Sequence, residues 1–222
     1  MLLSLISQPD ILIFFTIAII IAITVHEFSH AWMATILGDP TAKFSGRLTL
    51  NPIAHLDPLG TVMIFIVGLG WGKPVPYNPN FVRRGKFGEM LIALAGPVSN
   101  IIIAILFALP NRIYYMLNGT HLEGQLFVFL SVVMVMNTVL AAFNLLPIPP
   151  LDGSRLLYFI LDKLALYPAS WWASFERIGP MVLLAVIFAE RLFNLNIIFR
   201  VLDPLIALIG FIAGADIFGV FF

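Results

Sequence analysis

His26, Glu27 and His30 lie in "ITVHEFSHAW", inside a stretch whose other residues read as a membrane helix. Ionisable groups in hydrocarbon are costly and mark functional positions. On a helix, positions i and i+4 lie one above the other, so His26 and His30 can aim two imidazole nitrogens at one ion. Glu27 stands about 100° round the same turn, within reach of a water on that ion without being a ligand. This is the mechanical content of an H-E-x-x-H pattern, two metal ligands and a general base. The plainer alternative is a helix whose histidines bond to neighbouring backbone and whose Glu27 pairs with an arginine.

A catalytic zinc takes three protein ligands and keeps one open position. Two histidines are insufficient, and the candidate for the third ligand is Asp152 in "NLLPIPPLDG". Two prolines fix the approach and Gly153 permits a sharp turn. A second reading of Asp152 is the N-cap of a helix over 154–167.

The elements that must position these groups follow from composition. Of 222 residues, 60% are hydrophobic and only 11% charged, against about a quarter charged in soluble domains. The chain therefore reads as a multi-pass membrane protein. Net charge is zero, which speaks against nucleic acid as a partner. The absence of cysteine excludes disulfides, thiolate metal sites and cysteine nucleophiles. The opening "MLLSLISQPD" lacks the basic region of a signal peptide, so the first apolar segment is expected to be retained. One integral domain over 1–222 is expected, with a core over about 11–167 and further helices over about 171–222. The composition sets no oligomeric state.

Spans are expected over 11–37, 89–110, 125–146, 171–190 and 201–222, an all-α bundle of about five to six transmembrane helices. The run 59–70 holds only about half the residues a crossing needs. "KFSGRLTLNP" alternates Phe44, Leu48 and Leu50 with polar residues, and "WGKPVPYNP" alternates prolines. Together they predict a small re-entrant β-hairpin or sheet near residues 40–80. Residues 154–167 read as a short interfacial helix. His55 and Asp57 have two readings, a pair orienting metal ligands or a hydrogen-bonded turn. Trp171 and Trp172 read as interfacial anchors. If 59–70 does not cross, Lys43, Arg47, Lys73, Arg83, Arg84, Lys86, Arg155, Lys163 and Arg177 share one side. Only Arg112, Arg191 and Arg200 then face the other. The positive-inside bias puts the first side, with His30 and Asp152 near it, towards the cytoplasm.

"TVHEFSHAW", "GDPTAKFSGRLTLNPIAHLDPLGT", "GWGKPVPYNP", "ALAGPVSN" and "FNLLPIPPLDG" together resemble the bacterial site-2 proteases, zinc intramembrane metalloproteases, over about residues 20–160. The form is the compact one, without a PDZ or CBS domain. The resemblance implies cleavage of transmembrane segments of membrane proteins within the lipid bilayer of the cell, as in regulated intramembrane proteolysis. It implies one zinc ion per chain held by His26, His30 and Asp152, with Glu27 as catalytic acid and base. It also implies that Asn144 holds substrate or the oxyanion. From spacing alone Asn144 has a second reading: it shares a helix face with Asn137 and can join helices.

Two other classes use the same ligands. A metal carrier or transporter needs polar groups along most spans, and the last two offer little beyond Arg200, Asp203 and Asp216. A catalytically inactive scaffold would have no need of Glu27.

Overall fold

The computed structural model describes residues 8–67, 70–166 and 169–193, with 200, 203–204, 206–208 and 210–211 beyond them. Most of the expected span over 201–222 and most of the opening decapeptide lie outside the described residues. The helices are α1 (Pro9–Ile36), α2 (Thr41–Phe44), α3 (Pro58–Val67), α4 (Gly85–Asn118), α5 (Gly124–Asn144), α6 (Gly153–Lys163) and α7 (Ala169–Phe193). Among the described residues, four stretches are long and apolar enough to cross a membrane: α1, α4, α5 and Ser170–Glu190 of α7. Their outward faces carry exposed Ile13, Ile17, Ile102, Leu106, Met181 and Phe188, the reverse of a soluble helix and suited to lipid. The chain is a multi-pass membrane protein.

Local signals set the ends of α1. Pro9 starts it with a preset φ and Asp10 sits in the first turn, where a negative charge suits the helix dipole. Gly38 ends it with φ +98°. Asp39 N–H bonds to Ala34 O at 2.9 Å and Gly38 N–H to Thr35 O at 3.1 Å, the paired bonds of a glycine-terminated helix. The helices α1, α4 and α5 pack on one another through small residues. Ala104 and Ala108 of α4 meet Met134 of α5, and Ala18 of α1 meets Val132 and Val133. Without a hydrophobic force between helices in lipid, such close backbone approach is what dispersion requires.

The expected hairpin or sheet near residues 40–80 is not formed. Among the described residues of this region the pairing is a lone antiparallel bridge, Leu56 to Gly72. Local side-chain bonds compete with strand formation here. Asp39 Oδ1 accepts from Thr41 N–H at 3.0 Å and from Thr41 Oγ1 at 2.5 Å, starting α2. Asn51 Oδ1 accepts from Ile53 N–H at 3.1 Å at a 3₁₀ turn over Pro52–Ala54. Asp57 Oδ1 accepts from Gly60 N–H at 2.8 Å at the start of α3. The alternating Phe44 and Leu50 lie exposed rather than on one buried face, and Pro74 and Pro76 bring no N–H to a ladder. With ten residues, α3 rises about 15 Å, half the hydrocarbon thickness.

Ion pairs tie α6 to both neighbours: Lys86 Nζ to Asp162 Oδ1 at 2.5 Å, and Arg155 Nη1 to Glu176 Oε1 at 2.8 Å. Trp171 is half exposed, as an interfacial anchor should be. Trp172 is instead buried and stacks on Tyr158 of α6 with ring centroids 4.7 Å apart.

Candidate metal centre and cleft

On α1, His26 and His30 lie one turn apart with their rings edge to face, centroids 4.6 Å apart at 84°. Both are buried, and α4 crosses them at Gly96. A Cβ there would overlap His30 Nε2 and come within 2.6 Å of His26 Cε1. The bare glycine is what lets the backbone of α4 approach the imidazole pair.

The hydrogen bonds behind the rings fix which nitrogen carries the proton. His30 Nδ1 lies 2.7 Å from the carbonyl of Ile92, which can only accept, so Nδ1 donates. His26 Nδ1 lies 2.6 Å from Asn100 Oδ1. The Asn100 amide donates through Nδ2 to Ala22 O at 3.0 Å and to Asn137 Oδ1 at 2.8 Å, so its Oδ1 accepts from His26. In the neutral imidazoles both Nε2 atoms therefore hold lone pairs. Such bonds behind a ring are what orient histidine ligands on a metal. Asn100 and Asn137 are fully buried and link α1, α4 and α5 in one polar chain.

Asp152 occupies the residue before α6, but its side chain makes no capping hydrogen bond. Its Oδ2 lies 3.1 Å from His26 Nε2 and 3.4 Å from His30 Nε2, buried and without a hydrogen-bond partner. Two lone pairs and a carboxylate oxygen facing each other at such range repel unless a cation stands among them. Ligand atoms of the three residues lie within 4.8 Å of one another. A tetrahedral zinc with bonds of about 2.0–2.2 Å spaces neighbouring ligands by roughly 3.3 Å. The N, N, O donor set fits that ion, and the spacings from Asp152 Oδ2 match it.

Glu27 lines the cleft beside this group. The strap 70–77 covers it from the side, and a Cβ on Gly72 would lie 2.9 Å from Glu27 Oε1. Two bonds hold the strap: Lys73 N–H to His55 O at 2.7 Å, and Arg47 Nη2 to Lys73 O. Arg47 is buried; burial lowers the pKa of its guanidinium while the charge of Glu27 opposes that shift. His55 Nε2 donates to Thr49 O at 2.7 Å, so His55 and Asp57 close the turn and do not orient metal ligands. Asn144 ends α5 and lines the cleft, donating one amide hydrogen to Leu140 O at 3.0 Å. Its helical neighbour Asn137 serves the ring chain instead. The cleft encloses about 510 Å³.

Sequence reasoning brought together His26, Glu27, His30, Asp152 and Asn144, and the structure places all five around this cleft. It missed Gly96, Gly72 and Arg47. The small residues of "ALAGPVSN" were the available sign of a close helix crossing.

The profile of peptidase family M50 matches residues 110–189, a segment that carries Asn144 and Asp152. "Putative zinc metalloprotease YwhC" of Bacillus subtilis is 42% identical over 153 residues, 65% of this chain and 67% of that protein. Rip2 of Mycobacterium tuberculosis H37Rv, likewise named a putative zinc metalloprotease, is 30% identical over 184 residues, 79% of this chain and 66% of Rip2. "Zinc metalloprotease MJ0392" of Methanocaldococcus jannaschii is 27% identical over 148 residues, 66% of this chain but 34% of the archaeal protein. No solved structure gives a significant match. With that identity to the Bacillus protein extending over two thirds of its length, the chain belongs to peptidase family M50, the site-2 protease family of zinc metallopeptidases.

Proposed function

We propose that this metallopeptidase hydrolyses peptide bonds within transmembrane segments of other membrane proteins. The observation that carries the reading is the location of the cleft. Glu27 and the His26, His30 and Asp152 group open onto a hollow among helices that are themselves long and apolar enough to cross a membrane. A single integral domain in the cell membrane would serve, with the site towards the cytoplasm, as the basic residues argue.

His26, His30 and Asp152 would hold one zinc ion. Zinc, when bound, polarises the scissile carbonyl and brings the pKa of a coordinated water to ~7. Glu27 accepts the proton of the attacking water and delivers it to the amide nitrogen as the C–N bond breaks. Asn100 and the Ile92 carbonyl keep both imidazoles in the tautomer that leaves Nε2 free. Asn144 retains an amide hydrogen and its Oδ1 after bonding to Leu140 O, and these hold the substrate backbone. A helical substrate hides its carbonyls in internal hydrogen bonds, so the cut segment must unwind. Within residues 73–77, Val75 and Tyr77 keep N–H groups against which an extended segment can pair.

The test compares wild type with Glu27→Gln and Asp152→Ala in proteoliposomes holding single-span reporter proteins. Glu27→Gln should keep one zinc per chain and lose cleavage; Asp152→Ala should lose the zinc. Wild type that binds zinc yet cuts none of a broad panel of single-span proteins would overturn the reading in favour of a metal carrier or an inactive scaffold.

A further inference from the structure

Among the polar side chains that line the cleft, those of Tyr77, Glu89 and Arg155 take no part in the chemistry above. Arg155 is already matched by Glu176 at 2.8 Å. Tyr77 Oη donates to Glu89 Oε2 at 3.3 Å. Burial first pushes the Tyr77 hydroxyl up, with Arg155 opposing and Glu89 adding, to about 12, so it is a neutral donor at pH 7. Lys86, the nearest basic residue along α4, is engaged by Asp162. A divalent ion held by His26, His30 and Asp152 would offset the charges of Asp152 and Glu27. Among the described residues this leaves one half-buried lining carboxylate, Glu89, that no lining cation pairs with.

Its position is set by α4. Glu89 and Gly96 are seven residues apart, two turns and about 10 Å along the axis on nearly the same face. Gly96 backs His30. An extended chain advances about 3.3 Å per residue, so on a strand that left the metal centre parallel to α4 the third residue would come level with Glu89. The sequence at the start of α4, "FVRRGK", is of the kind that collects on the cytoplasmic side, and a substrate helix carries its own Lys and Arg on that flank.

We infer that Glu89 is a specificity-determining residue that receives a Lys or Arg side chain about three residues from the scissile bond, on the substrate's basic flank. The inference rests on the proposed cleavage of transmembrane segments, but its test can be read without cleavage.

Purified Glu27→Gln protein in detergent micelles is titrated with two fluorescent single-span peptides that differ only in Lys or Gln on the flank. The Lys peptide should bind about fivefold more tightly, as one partly screened ion pair supplies. The ratio should fall to near one when Glu89→Gln is added. Glu89→Lys should instead favour a Glu-flanked peptide. Zinc content equal to that of the parent verifies folding of each variant. A preference that survives Glu89→Gln, no preference at all, or no binding of either peptide overturns the inference. Flank discrimination in a protein whose wild type cuts nothing sinks the proposed hydrolysis alone. Cleavage by wild type indifferent to the flank sinks the subsite alone.

Discussion

Gly96 of α4 and His30 of α1 are in backbone-to-ring contact, so close that any Cβ on Gly96 would overlap Nε2, the atom facing Asp152. Alanine is the better helix former by about 1 kcal/mol, so Gly96→Ala would be mildly favourable on propensity alone. The contact reverses that sign. The ring must rotate or the helices must part, and either moves Nε2 off the ion. Gly96→Ala should retain helical content and lose most bound zinc, at least tenfold in affinity by chelator competition. Unchanged zinc affinity would mean that α4 does not back the ring.

The bond from His26 Nδ1 to Asn100 Oδ1 at 2.6 Å makes Asn100 a positioning residue. Asn100→Leu keeps the branched shape, at a somewhat larger volume, and removes the acceptor for His26, the donor for Ala22 O and the donor for Asn137 Oδ1. Loss of an outer partner of this kind typically costs 10–100-fold in metal affinity, and each orphaned buried group about 1–3 kcal/mol of stability. Isothermal titration with zinc and thermal unfolding in detergent measure the two separately. A variant of normal zinc affinity would show that His26 orients itself.

These two positions also show what the sequence could convey. His26, Glu27 and His30 were legible because helical period projects them to one place whatever surrounds them. Asp152 was legible because two imidazoles are an incomplete ligand set. Its capping alternative was removed only by seeing the carboxylate turned from α6 towards the rings. Gly96 carries no side chain to signal a role, which appears only once α4 is laid against α1. The 40–80 region misled because alternation was weighed and side-chain bonding was not. Asp39, Asn51 and Asp57 each accept a nearby N–H, and that chemistry has no period.

Asp39 gives the region its pH dependence. Burial opposes its charge, but bonds from the Thr41 hydroxyl and N–H and from Asn78 N–H hold its carboxyl below the ordinary value of 3.8. The Asn78 bond, 2.7 Å long, pins the segment after the strap to the end of α1. A depressed folded pKa means stability that is complete above the unfolded value and lost as pH falls through the folded one. Asp39→Asn should therefore cost about 2 kcal/mol at pH 7, within the range for hydrogen bonds to a charged group. The gap from wild type should narrow progressively below pH ~4, where the unfolded carboxyl takes up its proton. Thermal unfolding between pH 3 and 7 measures the gap; one that stays constant across that range would rule out the charged carboxylate as its source.

Gly72 separates the chemistry from the metal. It sits where the strap pairs with Leu56, and an added Cβ would lie 2.9 Å from Glu27 Oε1 and 3.0 Å from Ile23 Cγ2. The strap is held at Lys73 by His55 and Arg47, whereas Glu27 Oε1 is the far end of a flexible side chain. The carboxylate, not the backbone, should yield. Gly72→Ala should then keep its fold and its zinc while kcat falls by 10–100-fold, a large part of what a general base contributes. KM should change little, since the lining residues Tyr77 and Glu89 are untouched. Zinc analysis and cleavage kinetics on one preparation decide the matter. Loss of zinc would put the damage at His26, and full activity would mean that the Glu27 carboxylate yields to the added methyl without leaving its working position.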